Sequence, residues 1–274
     1  MVDYLKSFGV VLKSSADIMQ HFEAMLTDEQ IESHRQAGVI IHRILDNAFK
    51  WIRESLDAGL YIDEWALLKK FKQLIANENI YMDSSPFFGI DDHASDPGYE
   101  PEPEVSYQIK EGSRLIVDID GRLPGDNTVY YDVSWCTNVG KDISDEYQKL
   151  FGIVNEVRFK ATDYIQFGLD KGQAVRGCDV DAFVQKQFEA HNLSQYIMHR
   201  TGHNIGHICH GPGANLDNYE TKDTRTLLPG TMFSIEPGIY TENIGVRLEY
   251  DVFIANDNKT KIFSPIQKNS DNIK

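Results

Sequence analysis

Four of the nine histidines, His199, His203, His207 and His210, fall within MHRTGHNIGHICHGPG, interleaved with glycines. So dense a set points to metal ligation or proton transfer. On a helix His199 and His203 would share a face, as in helical zinc-protease motifs. Residue 200, however, is arginine where that motif needs glutamate, and Gly202 and Gly206 disfavour a helix. On extended backbone alternate residues share a face, so His199, His203 and His207 can line one side while His210 falls on the other. Candidate partners lie in strand-like segments. In LIVDID, Asp118 and Asp120 interrupt an apolar run and point to one face; Asp132 follows in VYYDVSW, Glu236 in FSIEPGIY and Glu249 in GVRLEYDV. A carboxylate among apolar strand residues is costly unless paired or bound to a cation. Asp132, Glu236 and Glu249 with one of Asp118 and Asp120 make four such groups on several strands, beside a glycine-flanked histidine, and balance two divalent cations in formal charge. Oxygen-rich ligation favours manganese, cobalt or iron over a structural zinc site.

The elements that hold these residues follow from pattern. TDEQIESHRQAGVIIHRILDNAFKWIRESLDAG opens on Thr27 and Gln30, a capping box, and keeps helical apolar spacing to Gly59. IDEWALLKKFKQLIANENI predicts a second amphipathic helix, with Trp65, Leu68, Phe71 and Leu74 or Ile75 on one face. The stretch that follows, Asp83 and then SSPFFGIDDHASDPGYEPEPEV, is rich in Pro, Asp, Ser and Gly and predicts a long loop. RLIVDIDGRLPGDNTVYYDVSW predicts a hairpin turning near Gly125, which puts Asp118 and Asp132 equally far from the turn and able to lie opposite one another. ISDEYQKLFGIVNEVRFKATDYIQFGL, capped by Ser144, and DVDAFVQKQFEAHNL predict two more helices. Residues 200–274 read as strands and glycine-rich turns. Helices, hairpin, helices, strands is an α+β order.

Composition narrows the function. Hydrophobic residues make up 41% and charged residues 25% of the chain, as in ordinary globular proteins. The net charge of −15, without a Lys/Arg cluster, argues against nucleic acid or an anionic membrane as partner. No apolar run approaches the roughly 18 residues of a membrane span. MVDYLKSFGVVLKSS lacks a signal-peptide pattern, and Cys136, Cys178 and Cys209, with no CxxC, suit reduced thiols of a cytoplasmic protein.

In this order, DIDGRLPGDNTVYYD, TGHNIGHICHG, FSIEPGIY and GVRLEYD resemble the methionine aminopeptidase/prolidase/aminopeptidase P family of dinuclear metallopeptidases. The Xaa-Pro-specific branch is nearest, because HRTGH, IEPGIY and GVR-x-E occur together. The resemblance implies a pita-bread fold: a curved antiparallel sheet flanked by helices, with an internal pseudo-twofold. Residues 26–274 would be the catalytic domain and 1–25 an N-terminal segment or linker. It implies two divalent metals, manganese first with cobalt, iron or zinc as alternatives, held by Asp118, Asp132, His203, Glu236 and Glu249. Glu236, His210 and His199 would be catalytic, and Arg247, His199 and His210 would meet a peptide substrate cut at its N-terminal bond. His207 has no implied role, and a homodimer is admitted.

Three departures accompany the resemblance. Asp118 lies fourteen residues before Asp132, more than the family's usual spacing; Asp120 lies twelve before it, but Asp118 follows LIV as the family's first Asp does and is preferred. Where the family has a histidine in the loop before the hairpin, SDPGYEP has Gly98, which offers no side chain to carry a proton; His93, five residues earlier, is the candidate substitute and ranks second to simple loss. The proline-specific enzymes usually carry a large N-terminal domain, whereas the sequence given starts just before the catalytic segment. The rival reading is therefore a catalytically impaired, metal-binding member with a peptide- or protein-binding role.

Overall fold

The computed structural model describes residues 1–140 and 143–273. Two short helices, α1 (Val2–Lys6) and α2 (Ala16–Glu23), precede the main body. Only the end of this segment is anchored: Gln20 and Ala24 are buried, and the Leu26 N–H donates to the Gly230 carbonyl at 2.8 Å. The predicted first long helix is α3 (Asp28–Asp57), and its capping box is formed, with the Gln30 N–H on Thr27 Oγ1 at 3.2 Å and the Thr27 N–H on Gln30 Oε1 at 2.9 Å. The second is α4 (Glu64–Ala76), capped by Asp63.

The segment read as a loop after α4 contains a strand, β1 (Phe87–Ile90), antiparallel to β2 (Arg114–Gly121). Its four residues, FFGI, are too few to show alternation, and the surrounding Pro, Asp and Ser mask them. β2 pairs with β3 (Tyr131–Val139) as the predicted hairpin. Next come α5 (Asp145–Asp170), capped by Ser144 Oγ on the Tyr147 N–H, and α6 (Gly177–Glu189). Strands β4 (Asn204–Ile205), β5 (Met232–Ile235), β6 (Gly238–Tyr240), β7 (Gly245–Arg247), β8 (Tyr250–Ile254) and β9 (Thr260–Ile262) follow, and β10 (Asp271–Ile273) closes the chain parallel to β3.

The architecture is α+β, with strand orders β1-β2-β3-β10, β4-β5-β8-β9 and β6-β7. It is built twice over. α3 and α4 share one apolar core with β1, β2 and β3, including Ile41, Ile44, Phe71, Phe88 and Val117. α5 and α6 share a second core with the later strands, including Val154, Val184, Phe233, Ile239 and Val252. Each helix pair thus covers one half of the strands, and the polar residues on their other face are left to meet in the middle. Among the described residues no helix is long and apolar enough to cross a membrane.

Arg158 ties α5 to the strand layer it covers. It is fully buried, lies over the Tyr250 ring at 4.5 Å, and donates to the carbonyls of Gln267 at 2.5 Å and Glu249 at 3.5 Å. Replacing it with leucine removes donors from buried carbonyls while keeping the site apolar. Arg158→Leu is expected to lower unfolding free energy by about 3 kcal/mol, the scale of lost charged hydrogen bonds with unsatisfied acceptors. A urea midpoint that does not move would show that packing alone holds α5 in place.

Candidate metal centre

The acidic face begins on the β2–β3 hairpin. Its register sets Asp120 opposite Asp132 and Asp118 opposite Ser134. The expected Asp118–Asp132 pairing is therefore corrected: the hairpin is centred on Asp126 rather than Gly125. The cause is visible in Arg122, where the chain leaves β3 and instead pairs with Tyr81, with N···O distances of 2.7 and 2.9 Å. Its guanidinium then ties the loop through the carbonyls of Leu123 and Gly125 and through Thr128 Oγ1.

Asp118 and Asp120, two residues apart on β2, point to one side of the sheet but have different partners. Arg247 Nη2 donates to Asp118 Oδ2, while its Nε donates to Ser134 Oγ at 2.9 Å and its Nη1 to Tyr240 Oη at 3.2 Å. Asp118 thus faces a guanidinium. Asp120, by contrast, has a carboxylate oxygen within 4.8 Å of ligand atoms of both Asp132 and Cys209.

His203 brings the histidine segment into this cluster. Its Nε2 is 3.4 Å from Asp132 Oδ2 and 3.3 Å from Glu236 Oε1, while Nδ1 is 3.3 Å from the Asn204 carbonyl. A ring with Nδ1–H on a carbonyl turns an unprotonated Nε2 toward a cation. The close approach depends on Gly202, where a Cβ would stand 2.0 Å from the Ser234 carbonyl oxygen. Glu236 directly follows β5, with its N–H on the Thr201 carbonyl at 2.8 Å, and accepts from Ser234 Oγ at 3.2 Å. Glu249, between β7 and β8, accepts from Ser134 Oγ at 2.9 Å, and Asp132, His203 and Glu249 have ligand atoms within 4.8 Å of one another.

The residues fit a divalent cation. Asp120 Oδ1, Asp132 Oδ1, Glu249 Oε1 and Asp251 Oδ1 are buried and have no hydrogen-bond partner among the described residues. Burial, then repulsion from Asp132, pushes Asp120 up to about 7. Burial also raises Asp118, to about 8, against the pull of Arg247 and with help from Asp132. Glu249 and Asp251 are raised well above the carboxylate range by burial and then by Asp132. Asp132 alone goes down: burial works against it, but hydrogen bonds from His203 and Cys209 prevail. For His203, burial is outweighed by Asp132 and Glu236, and its pKa rises to about 9. Such a cluster keeps its carboxylates ionised at neutral pH only with added positive charge.

The other expected residues lie around this centre. His210 is open to solvent on one side, with its ring centroid 4.1 Å from that of His203; desolvation of the crowded side, then His203, lowers its pKa. His199 Nε2 is 2.8 Å from Tyr240 Oη, Nδ1 is 2.7 Å from the Arg200 carbonyl, and burial lowers its pKa. His207 is exposed, with Nδ1 3.1 Å from the Thr128 carbonyl. His93 does not join the site. Its Nδ1 is 2.8 Å from Glu64 Oε2, and its ring is stacked between Tyr99 and Tyr107 at 4.1 and 3.7 Å. Gly98 lines a cavity of about 520 Å³ with Trp65, Leu68, Lys72, Phe87 and Tyr99, and the Phe87 ring lies 5.0 Å from the Arg247 guanidinium.

Pattern reading missed three neighbours. Asp251 Oδ2 accepts the Asp132 N–H at 2.8 Å, and alternation in GVRLEYD, with Arg247, Glu249 and Asp251 in phase, is the signal that marks it. His34 of α3, buried with Nδ1 2.7 Å from the Tyr130 carbonyl and 3.8 Å from Asp251 Oδ2, carries no local signal. Cys209 is the third.

The sequence profile of metallopeptidase family M24 matches residues 32–256. A probable dipeptidase, PepE, of Mycobacterium tuberculosis is 25% identical over 269 residues, covering 96% of this chain and 64% of that protein. The chain thus spans somewhat less than two thirds of the length of that relative. The prolidase of Thermococcus sibiricus superposes with a TM-score of 0.75 at 21% identity, covering 98% of this chain and 69% of that one. The X-prolyl aminopeptidase of Caenorhabditis elegans, described as a cytosolic enzyme with a di-nuclear active site, superposes with a TM-score of 0.73 at 18% identity, covering 91% and 41%. These likenesses show the pita-bread fold expected from the sequence.

Proposed function

Because this chain belongs to metallopeptidase family M24, we propose that it removes the first residue of short peptides with proline second, at a centre of two divalent cations. The observation that carries this reading is the set of buried, unpartnered carboxylate oxygens gathered around His203. We assign the ligands to Asp120, Asp132, His203, Glu236 and Glu249. Asp120 takes the place preferred for Asp118, whose charge Arg247 already meets. Bound there, divalent cations supply Lewis acidity and make water acidic enough to yield its proton near neutral pH.

The chain's own groups divide the remaining work. Glu236, fixed by the Thr201 carbonyl and Ser234, accepts the proton of the attacking water. His210, beside His203, donates to the scissile carbonyl oxygen as it gains charge. His199 is held by the Arg200 carbonyl and Tyr240 at the substrate side. Arg247 keeps Asp118 and Ser134 in place and backs Phe87, which forms the wall of the substrate cavity. Proline has no amide N–H, so a cavity that reads the peptide end suits it better than backbone pairing. Purified protein loaded with manganese, cobalt or zinc and given a set of Xaa-Pro peptides should release the first residue, as read by mass spectrometry. Silence from folded, cation-loaded protein would transfer the reading to a peptide-binding role.

Gly98 is the observation that favours that second role. A Cβ built there would meet only Asp96 Oδ1, at 3.4 Å, so a side chain fits the cavity. If Gly98 leaves a proton carrier missing, Gly98→His should raise kcat for Xaa-Pro peptides at least about tenfold, below the full scale of acid–base catalysis. An unchanged kcat in a folded Gly98→His variant would show that the position is irrelevant to turnover.

A further inference from the structure

Cys209 stands inside the acidic cluster. Its Sγ donates to Asp132 Oδ2 at 3.1 Å. It belongs to two sets whose ligand atoms lie within 4.8 Å of one another: Asp120, Asp132 and Cys209, and His203, Cys209 and His210. The sulfur therefore sits where the carboxylates meet the histidines. The second oxygen of the same Asp132 carboxylate is buried and has no partner among the described residues, in a side chain that is 7% exposed. A thiol hydrogen bond satisfies one oxygen and leaves the other, whereas a cation at this place would use both the free oxygen and the sulfur.

The sulfur's position is set by backbone on both sides. The Gly206 N–H donates to the Ile208 carbonyl at 3.2 Å, and the Gly211 N–H to the Asn204 carbonyl at 2.7 Å. Asn204 is itself tied to the Met232 carbonyl and to the Gly213 N–H, both at 2.8 Å. The turn that presents Cys209 is thus fastened to β5, the strand that leads into Glu236.

We propose that Cys209 is a metal ligand, its thiolate sharing with Asp120 and Asp132 the cation on that side of the centre. The inference rests on the cluster being the metal centre assigned above. Binding releases the thiol proton to solvent as the metal–sulfur bond forms. A thiolate among oxygen ligands moves the preference from manganese toward zinc, cobalt(II) or iron(II), because softer ligands favour softer cations. The ranking implied by the family resemblance, with manganese first, is then reversed at this one position.

Cobalt(II) added to the metal-free protein tests this by absorption spectroscopy. A strong near-ultraviolet thiolate-to-cobalt band should accompany the visible bands of bound cobalt. Cys209→Ser should abolish the former and keep the latter, while Cys136→Ala should keep both. Visible bands without the thiolate band in the wild type, or a thiolate band that survives Cys209→Ser, would overturn the inference and leave the metal centre standing. No bound cobalt after dialysis would overturn the centre and the inference together. Should Cys209→Ser fail to fold, X-ray absorption on zinc-loaded wild type decides: a sulfur shell at about 2.3 Å supports the ligand, and a shell of nitrogen and oxygen alone refutes it. In competition assays Cys209→Ser should lower the zinc-over-manganese preference at least about tenfold, the lower end of what supporting partners of a metal contribute.

Discussion

Glu236→Gln is expected to reduce kcat/KM on Xaa-Pro peptides by about a hundred- to ten-thousandfold, the range spanned by loss of a positioned general base. Glutamine keeps the shape, the backbone bond to Thr201 and the contact with Ser234. What it loses is the ability to take a proton, so the rate should fall while the variant still folds and still binds cation. Asp132→Ala separates the two effects. Asp132 lies 3.4 Å from His203 Nε2 and shares a ligand set with Asp120 and Cys209, so its loss should remove the cation as well as the rate. Metal content by elemental analysis, read beside peptide turnover, checks the contrast. Near wild-type turnover in Glu236→Gln would place proton acceptance elsewhere and sink the assigned mechanism.

The second large effect is on stability. Stripped of divalent cations, the protein should melt at progressively lower temperature as pH rises from about 6.5 to 9. Asp120 holds a proton up to about 7, and His203 up to about 9. Both pKa values are raised on folding, so in this window the folded state binds more protons than the unfolded chain and stability falls as pH increases. Each extra bound proton contributes a slope of about 1.4 kcal/mol per pH unit. His34, lowered by burial to about 4, acts in the opposite sense only below its unfolded value of 6.5. Added cation should reverse the trend, since it replaces those protons: saturation at a hundred times the dissociation constant contributes about 2.7 kcal/mol. Calorimetry with and without chelator across this range checks the claim. A melting temperature that rises with pH in the stripped protein would show that the carboxylates do not confront one another in solution.

Most helices were legible because their signals are local. Thr27 with Gln30, Ser144 before α5, and the apolar spacing of α3 each specify a boundary or a face without distant help. β1 was not legible, since four apolar residues in a proline- and aspartate-rich stretch show no period and gain strand character only by lying beside β2. In the site, alternation marked Asp118 and Asp120 as sharing a face, but the choice between them depended on Tyr81, which draws Arg122 out of the hairpin from a distant position in the chain. Cys209 and His34 were invisible for the same reason. Each matters through a contact across the sheet, with Asp132 or with the Tyr130 carbonyl, and nothing in the adjoining residues announces it.

Arg247 has a consequence for how the hairpin finds its alignment. A strand shifted by two residues keeps every side chain on its own face, so placing Asp118 opposite Asp132 would leave apolar and acidic sides intact. Hydrophobic burial barely distinguishes that arrangement from the observed one. The guanidinium does so alongside the Arg122–Tyr81 pairing, because it grips Asp118 and Ser134 together, and these two are cross-strand neighbours only in the observed register. A residue from a strand formed more than a hundred positions later thus proofreads the hairpin, and its charge chooses which aspartate stays free.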